Sequence, residues 1–180
     1  AEHLIETGVT SAPKLAAMGG SNGGLLVGNM LVRSPQLWGG VVCQVPLLDM
    51  YRFSKLLAGA SWMGEYGDPE KADEWSFLQK YSPYHQVKPG TTYPPVLFTT
   101  STKDDRVHPG HARKMVHKLT DVGLTSVYYY ENIEGGHGGA ADNKQRAFMK
   151  TLEFSFLKKA LVDKELQPST SSAEAAAAAA

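Results

Sequence analysis

Five residues, Gly19-Gly20-Ser21-Asn22-Gly23, join an apolar run to an apolar helical pattern, and they constrain this chain more than any other stretch. Before them, Lys14-Leu15-Ala16-Ala17-Met18 is a short apolar run that stops at glycines and reads as a buried strand. After them, from Gly24 to Arg33, Leu25, Leu26, Val27, Met30 and Leu31 suit a mostly buried helix, and Ser34-Pro35 closes it. A G-x-S-x-G match alone is weak evidence. Its meaning comes from the strand before it and the helix after it. A serine on so sharp a turn has a strained backbone and an Oγ that stands clear, which requires small neighbours. Gly19, Gly20, Gly23 and Gly24 supply them. The amide of Asn22 then points to where an oxyanion develops, aided by the helix N-terminus. A phosphate-cradling loop fits less well. The Lys-Ser/Thr ending of a P-loop is missing, and the glycine spacing is not G-x-G-x-x-G.

The rest of the chain repeats the same alternation. Val41 to Val45 is a second buried strand, with glycines before it and Pro46 after it. Asp49 to Gly67 is irregular and aromatic. Asp68-Pro69 predicts an N-cap followed by proline at the first helical position, for a helix running to about Lys80. Pro95 to Thr100 is the third strand, and Pro109 opens a helix that Gly123 ends. Ser126 to Glu131 is the fourth strand, and the last helix runs from Asn143 to about Leu161. Strands separated by helices predict an α/β fold, a mostly parallel sheet covered by helices on both faces. In such sheets the chemistry collects at the carboxyl ends of the strands.

A serine nucleophile needs a base, and the base needs an orienting acid. In α/β-hydrolases they follow in the order Ser, Asp or Glu, His. Here the third strand runs out into Ser101-Thr102-Lys103-Asp104-Asp105-Arg106, and the fourth into Glu134-Gly135-Gly136-His137-Gly138-Gly139. An acid and a histidine therefore follow two successive strand ends in the required order. Spacing alone does not separate Asp104 from Asp105. Of the other histidines, His3 lies near the chain start, His85 in a loop and His117 inside a helix, all ordinary structural or surface positions. His108 and His111, close to Asp104 and Asp105, offer the one arrangement with metal-ligand spacing. No further ligand cluster joins them, and Asp and His at a helix start are common for capping reasons alone. No metal is expected.

These residues resemble the prolyl oligopeptidase family of serine peptidases, over about residues 2–160. The resemblance rests on Gly19 to Leu26, Gln44-Val45-Pro46-Leu47-Leu48-Asp49-Met50, Trp62 with Tyr66-Gly67, Tyr81-Ser82-Pro83, Asp104-Asp105-Arg106-Val107 and Gly135-Gly136-His137-Gly138, all in order. Asn22 directly after the serine resembles the prolyl oligopeptidases proper rather than the oligopeptidase B, dipeptidyl peptidase and acylaminoacyl peptidase branches. The resemblance implies an α/β-hydrolase fold, with Ser21 as nucleophile, His137 as general base and Asp104, the first of the pair, as the triad acid. It implies that Arg106 holds a substrate carbonyl, that Trp62 stacks on the substrate proline and that Tyr66 and Val107 wall the same pocket. An indole face covers a compact apolar ring at little entropic cost. The implied reaction is cleavage of short peptides after proline through an acyl-enzyme, with no cofactor.

The count of four strands matches only the C-terminal half of such a domain. The half that would precede it carries the second oxyanion donor, worth about a hundredfold or more in rate. The family's β-propeller is also outside this pattern. The expected partners are therefore short proline-containing peptides and, in the same or another chain, the N-terminal half of the domain and the propeller. Residues 1–162 are expected to form the catalytic part. Residues 163–180, ending in Ser169-Thr170-Ser171-Ser172-Ala173-Glu174 and six alanines, are expected to be a disordered linker, tag or poly-Ala tail. Lys plus Arg and Asp plus Glu are 18 each, so no electrostatic grip on nucleic acid or on an anionic membrane is expected. No run of 18 apolar residues suggests a transmembrane helix. Cys43, the one cysteine, sits in an apolar run and is expected to be a buried, inert thiol. Two other functions fit the same residues. One is a related esterase or acylaminoacyl peptidase. The other is an inert half-domain that associates through an open sheet edge.

Overall fold

Alternating strands and helices build the expected parallel sheet. The computed structural model describes residues 1–171. In chain order the elements are α1 (Glu2–Glu6), β1 (Ala16–Gly20), α2 (Asn22–Arg33), β2 (Gly40–Gln44), α3 (Met63–Tyr66), α4 (Ala72–Leu78), α5 (Pro83–Gln86), β3 (Thr92–Tyr93), β4 (Val96–Ser101), α6 (Gly110–Asp121), β5 (Val127–Asn132), α7 (Asn143–Leu161) and β6 (Ser169–Thr170), with short 3₁₀ turns between several of them. β1, β2, β4 and β5 lie side by side in that order, all parallel. No helix among the described residues is long and apolar enough to cross a membrane.

The two faces of the sheet follow from the period of two along each strand. Val41 and Cys43 of β2 and Val96 and Phe98 of β4 pack on one face against Val27, Leu31 and Val32 of α2 and Ala112, Met115 and Leu119 of α6. The residues between them, Val42 and Leu97, face the other way onto Phe156, Leu152 and Leu157 of α7. Helices thus cover both faces. Full burial of a side chain such as Leu31 or Phe98 contributes about 1.5–3 kcal/mol. Cys43 is fully buried on the first face, and burial pushes its thiol pKa well up, which keeps it inert.

Three local expectations differ. The helix after Asp68 starts at Ala72, three residues late. The Asp68 carboxylate accepts the Glu70 amide two residues on, so Pro69 sits in a side-chain-closed turn rather than in a helix. The Glu74 carboxylate reaches back to the Asp68 amide at 2.5 Å. Beyond Leu78 the chain continues as a 3₁₀ turn, Gln79–Tyr81. The third difference is at the boundary expected at residue 162. β6 pairs antiparallel with β3, and Ser171 is buried, its Oγ donating to the carbonyls of Lys88 and Thr91. Residues 163–171 are therefore folded against the domain, and the expected tail at residues 172–180 lies outside the described residues. A two-residue pairing leaves no periodic pattern in a sequence, which is why composition alone suggested a linker there.

Candidate active site

The strand-to-helix turn holds Ser21 at φ 59° and ψ −118°, between β1 and α2. That is left-handed backbone, costly for a serine and kept only where the surroundings enforce it. The Ser21 amide donates to the Gln44 carbonyl at 2.9 Å, and the Ser21 carbonyl accepts the Leu25 amide. Ser21 occupies the N-cap position of α2, yet its side chain caps nothing. A capping serine typically contributes about 1 kcal/mol. Here the Oγ is turned away, toward the imidazole of His137.

Only two of the four surrounding glycines are demanded by space. A Cβ on Gly19 would lie 2.5 Å from the Gly23 carbonyl oxygen, and one on Gly24 would lie 2.6 Å from Cβ of Pro46. Gly23 has open space around it, and Gly20 has only ordinary contacts. Gly19→Ala must therefore push the turn backbone away from α2. Overpacking of this kind costs about 1–3 kcal/mol, so the variant should melt measurably lower than wild type. Gly23→Ala should melt close to wild type.

His137 arrives on the loop between β5 and α7, and Asp104 on the loop after β4. His137 Nε2 lies 3.0 Å from Ser21 Oγ, and His137 Nδ1 lies 2.8 and 3.1 Å from the two carboxylate oxygens of Asp104. The Asp104 side chain is fully buried and the His137 side chain 24% exposed. Asp104 Oδ1 also accepts the amides of Arg106 and Val107, both at 2.9 Å. An ionised carboxylate only accepts, so Nδ1 carries the imidazole proton and Nε2 is left to accept from the Ser21 hydroxyl. Spacing left Asp104 and Asp105 equivalent. Asp104 faces the imidazole, and Asp105 is exposed.

The other expected residues gather around this chain of contacts. The Asn22 amide is in the first turn of α2, where an N–H has no intrahelical acceptor. Trp62 and Tyr66, both half-buried, pack with buried Val107 on an apolar cluster of Leu25, Leu47, Met50, Phe53 and Leu78. Arg106 is exposed, and its backbone carbonyl accepts the Ala58 amide at 3.3 Å, which ties the loop after β4 to the turn before Trp62. One contact had no signal in the sequence: the Tyr66 hydroxyl donates to Asn22 Oδ1 at 2.7 Å, joining the aromatic wall to the residue after Ser21. His108 and His111 do not converge. The Gly110 amide donates to Nδ1 of His108, and the amides of Leu48 and Asp49 donate to Nδ1 of His111. Among the described residues no group of three or more His, Cys, Asp or Glu is placed to hold a metal.

Comparison with known proteins gives a consistent picture. The sequence model of the prolyl oligopeptidase family matches residues 1–164. The chain is 53% identical over 163 residues to an uncharacterized peptidase of Sinorhizobium fredii, covering 91% of this chain and 22% of that protein. It is 44% identical over 147 residues to the prolyl endopeptidase of Elizabethkingia meningoseptica, covering 80% of this chain and 21% of that protein. Among solved structures it is similar to a post-proline cleaving enzyme from Rickettsia typhi, with a TM-score of 0.86 and 41% identity over 89% of this chain and 23% of that one. The chain thus spans about a fifth of the length of these relatives.

Proposed function

This chain belongs to the prolyl oligopeptidase family, and from that premise we propose that it carries the catalytic triad of a serine peptidase that cleaves short peptides after proline. One observation supports this above the others: the unbroken contact from Ser21 Oγ through His137 to buried Asp104. Ser21 attacks the carbonyl of a prolyl residue, and His137 Nε2 takes the hydroxyl proton. Asp104 holds the ring and stabilises the imidazolium as it forms. The tetrahedral oxyanion takes a hydrogen bond from the Asn22 amide. His137 then protonates the leaving amine, and water attacks the acyl-enzyme in a second round of the same proton transfers.

Proline selection is assigned to the apolar wall beside the nucleophile. Trp62 offers a flat face to the pyrrolidine ring, with Tyr66 and Val107 closing the sides. Arg106 gives a charged donor to a substrate carbonyl. The Tyr66–Asn22 hydrogen bond sets the wall against the oxyanion residue, so a ring seated on Trp62 is held in register with Ser21.

A fluorophosphonate probe followed by peptide mapping tests the triad, and a panel of acyl substrates tests the pocket. Label is expected on Ser21, with stoichiometry near one per chain. Reporter amides with proline before the scissile bond should exceed their alanine counterparts by about 10–200-fold in kcat/KM. Absence of label on Ser21 would remove the triad reading. Label combined with faster turnover of esters or N-acyl amino acids would move the function to a related esterase or acylaminoacyl peptidase.

A further inference from the structure

Glu153 lies near the middle of α7, is 1% exposed, and takes no part in the triad. A buried carboxylate is costly unless it is paired and hydrogen-bonded, so its partners indicate what it is for. Oε1 accepts from Gln44 Nε2 at 2.5 Å, and Oε2 pairs with Lys150 at 2.8 Å. Gln44 is the last residue of β2, and its carbonyl receives the Ser21 amide. Gln44 therefore holds the nucleophile turn with its main chain and α7 with its side chain.

Little else fixes that side chain. A cavity of about 180 Å³ lies beside it, lined by Gly20, Val45, Thr99 and Gly139 among others. Thr99 Oγ1 is buried and has no hydrogen-bond partner among the described residues, so it does not hold Gln44. The backbone on both sides of this contact is strained, with Ser21 at φ 59° and Val45 at φ 38°. Such conformations persist only where neighbours over-determine them. The first turn of α7 anchors the histidine loop. Gln145 Oε1 accepts from Asn132 Nδ2 and from the Ala141 amide, and Gln145 Nε2 donates to Glu134. Gln145 and Glu153 are eight residues apart, about two turns along one helix face. A single rigid helix therefore holds, at one point, the strand end that binds the serine turn and, at another, the histidine loop.

We infer that Glu153 is a positioning residue, fixing the Ser21 turn through Gln44 relative to the helix that anchors the His137 loop. The inference rests on the function proposed above. Glu153→Met removes the acceptor at similar volume, whereas Glu153→Gln keeps an oxygen facing Gln44. The measurement is the rate constant for fluorophosphonate labelling of Ser21 in this chain, well below each variant's melting temperature. Glu153→Met should label about 10–100-fold more slowly, the effect of misplacing a reacting group by about 1 Å. Glu153→Gln should label close to the wild-type rate. If Glu153→Met does not fold, Gln44→Met removes the same hydrogen bond while leaving Glu153 paired with Lys150, and the same slowing is expected. A lowered melting temperature with an unchanged labelling rate would mean that Glu153 is merely structural and would overturn the inference, as would a Glu153→Gln variant as slow as Glu153→Met. A wild-type chain that takes no label would overturn the reading of Ser21 and this inference together.

Discussion

On the function proposed above, asparagine at position 104 should leave the fold and the positions of Ser21 and His137 unchanged, yet lower kcat for peptide hydrolysis by about 10⁴-fold. The reason lies in what each oxygen of Asp104 already does. Oδ1 accepts the amides of Arg106 and Val107. An asparagine keeps those bonds only by placing its carbonyl oxygen there, because an NH₂ would face two N–H donors. Its NH₂ then occupies the place of Oδ2, 2.8 Å from His137 Nδ1. Donating to Nδ1 forces the imidazole proton onto Nε2, which lies 3.0 Å from Ser21 Oγ. That nitrogen can no longer take the serine proton. The loss is therefore electronic and appears in kcat, with KM and melting temperature near wild type. Asp104→Ala is a poorer test, since it also strips the acceptor from two amides and adds a folding defect. A fall in kcat below about tenfold for Asp104→Asn, with its structure intact, would remove Asp104 from the triad.

How far the sequence anticipates this arrangement depends on the range of the contact. The four main strands, the long helices and the order Ser21, Asp104, His137 are all local patterns, readable from periodicity, glycines and prolines. Asp104 and Asp105 are adjacent in sequence and differ only in which one faces a loop more than 30 residues away, so spacing left them equal. Trp62, Tyr66 and Val107 came from family resemblance, since no local pattern shows that two residues of an irregular aromatic stretch and one of the loop after β4 pack on one cluster with Leu25 and Leu47. The Tyr66–Asn22 and Gln44–Glu153 bonds span 44 and 109 residues and join single side chains, which no local rule encodes. The same holds for β3 and β6, two residues each. His111 is the sharpest case. Its spacing from Asp104 and Asp105 allows a metal reading that is set aside for a capping one, while its actual partners come from the segment after β2.

Those partners make His111 a position where acid should damage the fold. Its ring is 1% exposed, and its Nδ1 accepts the amides of Leu48 at 3.3 Å and Asp49 at 3.1 Å. Both bonds require an unprotonated Nδ1. Burial, together with the charge of Lys114 and with His108, holds the pKa down at about 4, against the opposing pull of Asp49. Asp49 is itself buried. Burial alone would raise its pKa, but its hydrogen bond and ion pair with Lys114 hold it low, so it stays charged. An unfolded chain binds a proton at this histidine near pH 6.5, and the native state binds it only near 4. Between those values the unfolded state holds more protons, so stability falls as the pH falls. The contribution is complete above about pH 6.5 and is lost as the pH drops through about 4. At about 1.4 kcal/mol per pH unit it amounts to about 3 kcal/mol. His111→Asn places an oxygen near Nδ1 but does not titrate. The difference in unfolding free energy between wild type and His111→Asn, from urea denaturation, should therefore shift by about 3 kcal/mol against wild type between pH 7 and pH 3.5. Carboxylates common to both proteins cancel in that difference. His111→Leu should fail at every pH, because two buried amides lose their acceptor at about 1–3 kcal/mol each. A difference that stays flat with pH would mean that the ring is not held neutral by its surroundings. The consequence reaches the site, because the segment from Gln44 to Met50 seats Pro46 against Gly24 and ties the Ser21 turn to the aromatic wall.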